Sequence, residues 1–264
     1  MNTLNEVNKT LFIPLYGKAL ISKKGVILKD KKAEEIWDAE SFDIKGKSKS
    51  KWLAYNMAMR ARVFDDWTDK KLFNSDEKTK VLHIGCGLDS RCLRVKENYY
   101  SWLDCDFPDV ISVRRQYYEE TSNYKMLGLD ASNRADIDLL PDADSAIIIM
   151  EGISMYLSRE KLVDLLKLLK EKYNKVNILM DVYTEFGART SKYKNPVNDV
   201  GVQQLYGVDD IDKVSVDSNL KVIGEHSFTP PHLVNELRGF EKIFFKLMFT
   251  GKLYSKIYSL YELG

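Results

Sequence analysis

Five short apolar runs between Lys80 and Tyr183, separated by helical or polar stretches, constrain the fold of this chain more than any other feature. They are VLHIG (Val81–Gly85), YYSWLDCD (Tyr99–Asp106), YKMLGLD (Tyr124–Asp130), SAIIIMEG (Ser145–Gly152) and KVNILMDVY (Lys175–Tyr183). Short runs that are nearly all apolar mark strands buried on both faces. Between them, FPDVISVRRQYYEE begins a helix with Pro108 in its first turn, where a missing N–H costs nothing. SREKLVDLLKLLKEKY is an amphipathic helix with Ser158 as its N-cap. Strands and helices alternating at this spacing imply βαβ units, hence a doubly wound α/β fold with a mostly parallel sheet.

The flanks complete the expected architecture. Residues 1–73 read as mainly helical, and within Lys47–Phe73 the residues Trp52, Tyr55, Met59, Val63 and Trp67 recur at steps of three and four. LKVIGEHSF and KIYSLYELG supply two further strands, one of them antiparallel. Thr184–Asp210 is weakly patterned and long for a connection, so 184–215 is expected to form a lid. With no repeat or Pro/Gly-rich linker, the expectation is one domain: a helical cap (1–73), a ligand-binding core (80–183), the lid, and a C-terminal part of the core (216–264).

Composition narrows the partners. Forty Lys and Arg against 39 Asp and Glu leave a net charge of +1, which gives no reason to expect nucleic acid or an anionic membrane as a partner. No run approaches the roughly 20 apolar residues needed to span a bilayer. The first twenty residues lack a basic stretch followed by a cleavable apolar one, so the expected location is cytoplasmic. The three cysteines (Cys86, Cys92 and Cys105) show no spacing that would hold a metal, and Cys105 falls in a strand as a small core residue. Oligomeric state is left open.

In an open parallel sheet, ligands bind at the carboxyl ends of the strands. The first strand ends in Gly85-Cys86-Gly87, where glycines let the backbone approach a ligand closely. The second ends in Asp106, 21 residues after Gly85 and placed to accept hydrogen bonds from a ribose diol. The third ends in Asp130, able to face an adenine edge, and the fourth in Glu151-Gly152. A nucleoside-containing ligand accounts for this set economically, although carboxylates at strand ends can also cap the following helix. The third glycine of a dinucleotide fingerprint is missing, which favours a ligand without a pyrophosphate. S-adenosyl-L-methionine is such a ligand.

Several blocks carry a family resemblance. VLHIGCGLDSRCLRV resembles the strand and GxGLDTR signature of the leucine carboxyl methyltransferase family, WLDCDFPDVISVRR its D-x-D block, and EGISMYLSREKLVDLL its EGxxMYL block. Upstream, TLFIPLYGKAL and AMRARVFDDW are similar to the branch that includes tetracenomycin-type polyketide O-methyltransferases. The blocks run in order from Thr10 to about Leu166, and beyond Tyr183 the resemblance fades.

The resemblance implies a class I methyltransferase whose 80–183 core binds S-adenosyl-L-methionine. It assigns Arg60 to the cofactor's methionine carboxylate, a group that a guanidinium grips with two donors. Gly85 would lie against the cofactor, Asp106 would hold the ribose, Asp130 and Ala131 would border adenine, and Glu151 would stand at the fourth strand. Tyr16 aligns with a further contact in the amino-terminal segment. Ala61, Cys86 and Ser90 depart from the family's usual Thr, Ala and Thr without removing a group the cofactor needs.

Alternatives stay open for single residues. Arg60 could pair with Asp65 or Asp66 on its own helix. Tyr156 is either core packing or part of an acceptor pocket, and no catalytic residue is otherwise assigned. His83 reads as a core histidine, Asp89 and Asp104 as structural, and His226 or His232 could border the pocket. The expected reaction is methyl transfer to an oxygen of a small-molecule acceptor. A carboxylate, with a pKa near roughly 4, needs no base, whereas a phenol near about 10 wants one, and no His/Asp pair is evident; together with the carboxyl-methylating members of the family it resembles, this makes a carboxylate the expected acceptor. Two rival readings are an NAD-dependent oxidoreductase and a methyltransferase-like binding module without turnover.

Overall fold

The five apolar runs become five adjacent parallel strands: β1 (Lys80–Ile84), β2 (Ser101–Asp106), β3 (Tyr124–Gly128), β4 (Ser145–Met150) and β5 (Lys175–Tyr183). The computed structural model describes residues 11–40, 46–194, 204–250 and 256–264. Two more strands, β6 (Val222–His226) and β7 (Tyr258–Leu263), extend the sheet, which has the order β3-β2-β1-β4-β5-β7-β6. Only β7 runs against the others, inserted between β5 and β6, with Tyr183 opposite Tyr258 and Asp181 opposite Leu260. Both late strands were expected, as was one antiparallel member. The strand order reverses between β1 and β4, so the crevice for a ligand opens beyond their carboxyl ends.

The strands are buried on both faces because helices cover each. In β4, Ile147 and Ile149 point into one apolar cluster and Ala146, Ile148 and Met150 into the other. The first cluster contains Tyr55, Met59, Val63, Phe64 and Trp67 of a 23-residue helix. The second contains Leu162, Leu165, Leu166 and Leu169 of the amphipathic helix after Ser158. Each fully buried leucine is worth about 1.5–3 kcal/mol as an upper bound.

In chain order, the helices before β1 are α1 (Phe12–Lys24), α2 (Lys31–Ala39) and α3 (Lys51–Phe73). α3 starts later than the 47–73 pattern because Gly46–Lys49 winds as a 3-10 turn. Gly17 lets α1 close on α3: a Cβ there would lie 3.0 Å from the Met57 Cβ and 3.2 Å from the Ala54 Cα. Within the core follow α4 (Arg91–Arg94), α5 (Pro108–Arg114), α6 (Arg134–Asp138) and α7 (Arg159–Lys172). Pro108 occupies the first turn of α5, and the Ser158 hydroxyl accepts from Lys161 N at the start of α7.

The expected lid, 184–215, includes a helix that its weak pattern concealed: α8 (Glu185–Lys194) follows β5 directly. Residues 195–203 and the Tyr193 side chain lie outside the described residues. α9 (Ile211–Asp217) is capped by Asp210, whose carboxylate accepts from Lys213 N at 2.9 Å. α10 (Pro231–Val234) and α11 (Gly239–Phe249) precede β7. Among the described residues no helix is long and apolar enough to cross a membrane. Cys86, Cys92 and Cys105 are free and buried.

Candidate active site

A cavity of about 650 Å³ opens where the strand order reverses, bordered by the ends of β1, β2 and β4, the loop after β3, α1, α3 and the start of β7. Its first wall is the turn after β1. Gly85 and Gly87 hold φ values of 75° and 52°, and a Cβ on Gly85 would run into the Ile153 side chain. Only glycine closes this turn against the loop after β4 without strain.

Asp106 stands beside that turn. Its carboxylate accepts from Gly87 N and Phe107 N, each at 2.8 Å. A carboxylate offers about four acceptor positions, so two remain for a ligand. Burial pushes its pKa up to about 6, although the two backbone N–H groups and Arg114 work the other way. Asp130 and Ala131 border the cavity just beyond β3, with Ser132 N donating to the Asp130 carboxylate at 2.8 Å. Asp130 and Glu151 sit just past the strand ends and line the cavity from there, and not inside β3 and β4 as the apolar runs had suggested.

The opposite end is ionic. Arg60 reaches from α3 to donate from Nε to Glu151 at 3.0 Å and from Nη1 to Asp181 at 3.0 Å and to the Tyr258 hydroxyl at 2.7 Å. Nη2, beside Gly152, has no partner among the described residues. Burial alone would lower the Arg60 pKa, but Tyr258, Glu151 and Asp181 outweigh it and hold the guanidinium charged. The alternative pairing within α3 does not occur, because Asp65 is taken by Arg91 and Arg94, and Asp66 by Arg62.

Glu151 also pairs with Arg91, and Lys18 lies 3.9 Å from it while pairing with Asp89. Burial opposes ionisation of Glu151, but Lys18, Arg60 and Arg91 dominate and pull its pKa down to about 2. Asp181, beneath the wall, is raised by its burial against the pull of Arg60 and Tyr258.

Lys18, Asp89, Asp181 and Tyr258 are functional candidates that sequence reasoning missed or set down as structural. Lys18 was within reach, since Leu11, Pro14, Leu15 and Lys18 repeat at helical spacing and all line the cavity. Tyr16, the residue singled out in that segment, is a correction. The same helical turn carries it to the far side of α1, its ring centroid 5.0 Å from that of Trp37, and it is not among the lining residues. His226 pairs with Glu262 and His232 is exposed near Asp66, so neither borders the cavity. His83 is buried between Arg91 and Asp104, and burial lowers its pKa.

The residues fit S-adenosyl-L-methionine. Asp106 presents spare acceptor positions to a ribose diol. Two cations, Lys18 and Arg60, and two carboxylates, Asp89 and Glu151, line the ionic end, so a zwitterionic amino-acid group enters without adding net charge. The unpartnered Arg60 Nη2 is a donor of the kind a ligand carboxylate takes up.

The remaining wall is apolar and aromatic: Leu53, Met57, Tyr156, Tyr183, Phe249 and Ile257 line it, with Tyr258 at its junction with the ionic end. Tyr156 sits in a 3-10 turn, Ser154–Tyr156, partly packed on the core and partly facing the cavity.

Comparison with known proteins identifies the family. Residues 1–170 match the sequence model of the family described as leucine carboxyl methyltransferase. The tetracenomycin polyketide synthesis O-methyltransferase TcmP of Streptomyces glaucescens is 28% identical over 210 residues, covering 78% of this chain and 76% of that protein. An S-adenosyl-L-methionine-dependent methyltransferase, dpfgK, of Gibberella zeae is 24% identical over 234 residues, covering 79% and 77%. Among solved structures, magnesium protoporphyrin IX methyltransferase from Synechocystis PCC 6803, with bound SAH, shares the fold at a TM-score of 0.53 and 10% identity, covering 97% of this chain and 98% of that one. The family match sets aside the NAD-dependent oxidoreductase. The chain belongs to the leucine carboxyl methyltransferase family and is an S-adenosyl-L-methionine-dependent O-methyltransferase.

Proposed function

We propose that the chain methylates a carboxylate oxygen of an apolar small molecule, with Arg60, Gly85, Asp106, Asp130, Ala131 and Glu151 holding the cofactor. When bound, the cofactor supplies an electrophilic methyl group on a sulfonium leaving group. The chain's own residues bind, orient and exclude water. Asp106 accepts from the ribose, Arg60 and Lys18 hold the carboxylate end, and Glu151 balances the ammonium. Alignment of donor and acceptor is the main contribution left to the protein.

The observation that supports a carboxylate acceptor is the chemistry of the second wall. Among the described lining residues, the carboxylates near it are committed: Glu151 to Arg60 and Arg91, and Asp89 to Lys18. His83 borders the cavity but is 1% exposed and held between Arg91 and Asp104. This wall favours an acceptor oxygen that arrives ionised, as a carboxylate does at neutral pH and a phenol does not. The apolar and aromatic surface of Leu53, Met57, Tyr156, Tyr183 and Phe249 suits a hydrophobic acceptor, as in other ligand pockets.

The test is product analysis. The chain is incubated with radiolabelled cofactor and paired apolar acids and phenols of matched skeleton, and the product is then treated with mild alkali. Alkali-labile label on the acids supports the reading. Alkali-stable label on the phenols overturns it, and would point to Tyr258, whose hydroxyl contacts Asp181, as the group that handles the phenolic proton.

A further inference from the structure

The solvent face of α11 is apolar. Phe240, Ile243 and Leu247 follow one another at helical steps of three and four and are 71%, 60% and 76% exposed, with Met248 beside them at 59%. The opposite face is fully engaged: Phe245 is buried against Tyr55, Phe244 packs on Trp52 at 4.3 Å, and Glu241 turns inward to Lys24, Lys51 and Tyr55. The helix is thus anchored by one apolar side and presents a second to water. An outward stripe of large side chains on a single helix is uncommon without an occupant.

The charges around the stripe decide which occupant fits. Lys246 is exposed and Lys242 half-buried, both on one side of the stripe, Arg238 is exposed at the start of the helix, and among the described residues no carboxylate pairs with any of the three. The only acid within the helix, Glu241, faces inward between two lysines. A second copy packed through a two-fold axis would set this basic flank against itself, since such an interface joins the same patch on both subunits. A helix with large apolar side chains outward and a basic edge matches the boundary of an anionic lipid surface, where the rings enter the acyl region and the ammonium groups reach phosphate. The net charge of +1 conceals this local asymmetry.

We propose that α11 docks the enzyme peripherally on anionic membrane surfaces through Phe240, Ile243, Leu247 and Met248, with Lys242 and Lys246 on lipid phosphates. Phe249, on the opposite face of the same helix, lines the cavity, so one helix joins the proposed docking face to the cavity wall. Docking through α11 does not depend on which acceptor is methylated.

The test is co-sedimentation of the whole chain with phosphatidylcholine vesicles and with vesicles in which a third of the lipid is phosphatidylglycerol, at low and high salt. Binding to the anionic vesicles, lost at high salt and in Phe240→Ser/Leu247→Ser, supports the proposal. Lys242→Gln/Lys246→Gln should weaken binding on the order of twentyfold, since each lysine near an anionic surface adds about a fivefold gain. Both variants should keep the wild-type thermal shift with S-adenosylhomocysteine, which shows that they are folded. No binding to either vesicle overturns the proposal. So does equal binding to both, or a dimer in light scattering that the serine variant dissolves while vesicles remain unbound.

Discussion

Arg60 on α3 and Glu151 at the end of β4 form a buried ion pair, Nε to Oε1 at 3.0 Å, across 91 residues of sequence. The pair ties the amino-terminal helices to the core at the point where the cofactor's amino-acid end would lie. Arg60 also holds Asp181 and Tyr258, so one guanidinium joins α3, β4, β5 and β7. Removing one member of a buried pair strands the other charge, which typically costs about 3–5 kcal/mol. Arg60→Ala is therefore expected to lower unfolding stability by about that amount in urea titration, whereas a surface change such as Lys70→Ala should not measurably shift it.

Glu151 sets an acid limit on stability. Its folded pKa, about 2, lies below the ordinary 4.5, so its ionised form stabilises the fold above pH 4.5. That contribution is lost as pH falls from about 4.5 toward 2. Glu151→Gln should be less stable than wild type at pH 7, and the difference should narrow in unfolding titrations as the pH is lowered through that window.

Asp106 behaves in the opposite sense. Its folded pKa is raised to about 6 from 3.8, so its contribution to stability is full below pH 3.8 and lost as pH rises through about 6. The ionised form is the stronger acceptor for a diol, so cofactor affinity should rise as pH increases through about 6. Calorimetric titration with S-adenosylhomocysteine between pH 5 and 8 should show this rise in wild type, and Asp106→Asn should flatten it.

Within α1 the structure separates two nearby residues. Lys18→Ala should weaken S-adenosylhomocysteine binding about tenfold or more, the scale of a lost hydrogen bond to a charged group. Tyr16→Phe, on the Trp37 side, should leave binding unchanged in the same titration.

Much of the core was legible because β1, β2, β4 and β5 are buried on both faces, which makes Val81–Ile84, His83 aside, and Ala146–Met150 apolar. Gly85, Asp106 and Glu151 were legible as strand-end residues, since topology fixes where such ends point. Lys18 was hidden by reading IPLYGKA by alignment and not by helical period. Asp181 was hidden inside an apolar strand, where nothing local distinguishes a buried carboxylate that has partners from an error in the pattern. Tyr258 was hidden by distance: its role exists only because β7 inserts beside β5 and lays its hydroxyl against Asp181 and Arg60. The helix α8 was missed because Glu185–Lys194 mixes Gly, Thr and charged residues with little apolar period.

The central claim is that this crevice binds S-adenosyl-L-methionine through Asp106 and the Arg60–Glu151 end. Its most direct test is thermal unfolding of the whole chain with S-adenosyl-L-methionine, S-adenosylhomocysteine, NAD or no addition, for wild type and Asp106→Asn. A ligand at about 100 times its dissociation constant adds about 2.7 kcal/mol of stability. The account predicts an upward shift with the two sulfur nucleosides, none with NAD, and a smaller shift in the variant. A shift with NAD alone, or none with either sulfur nucleoside, would contradict it.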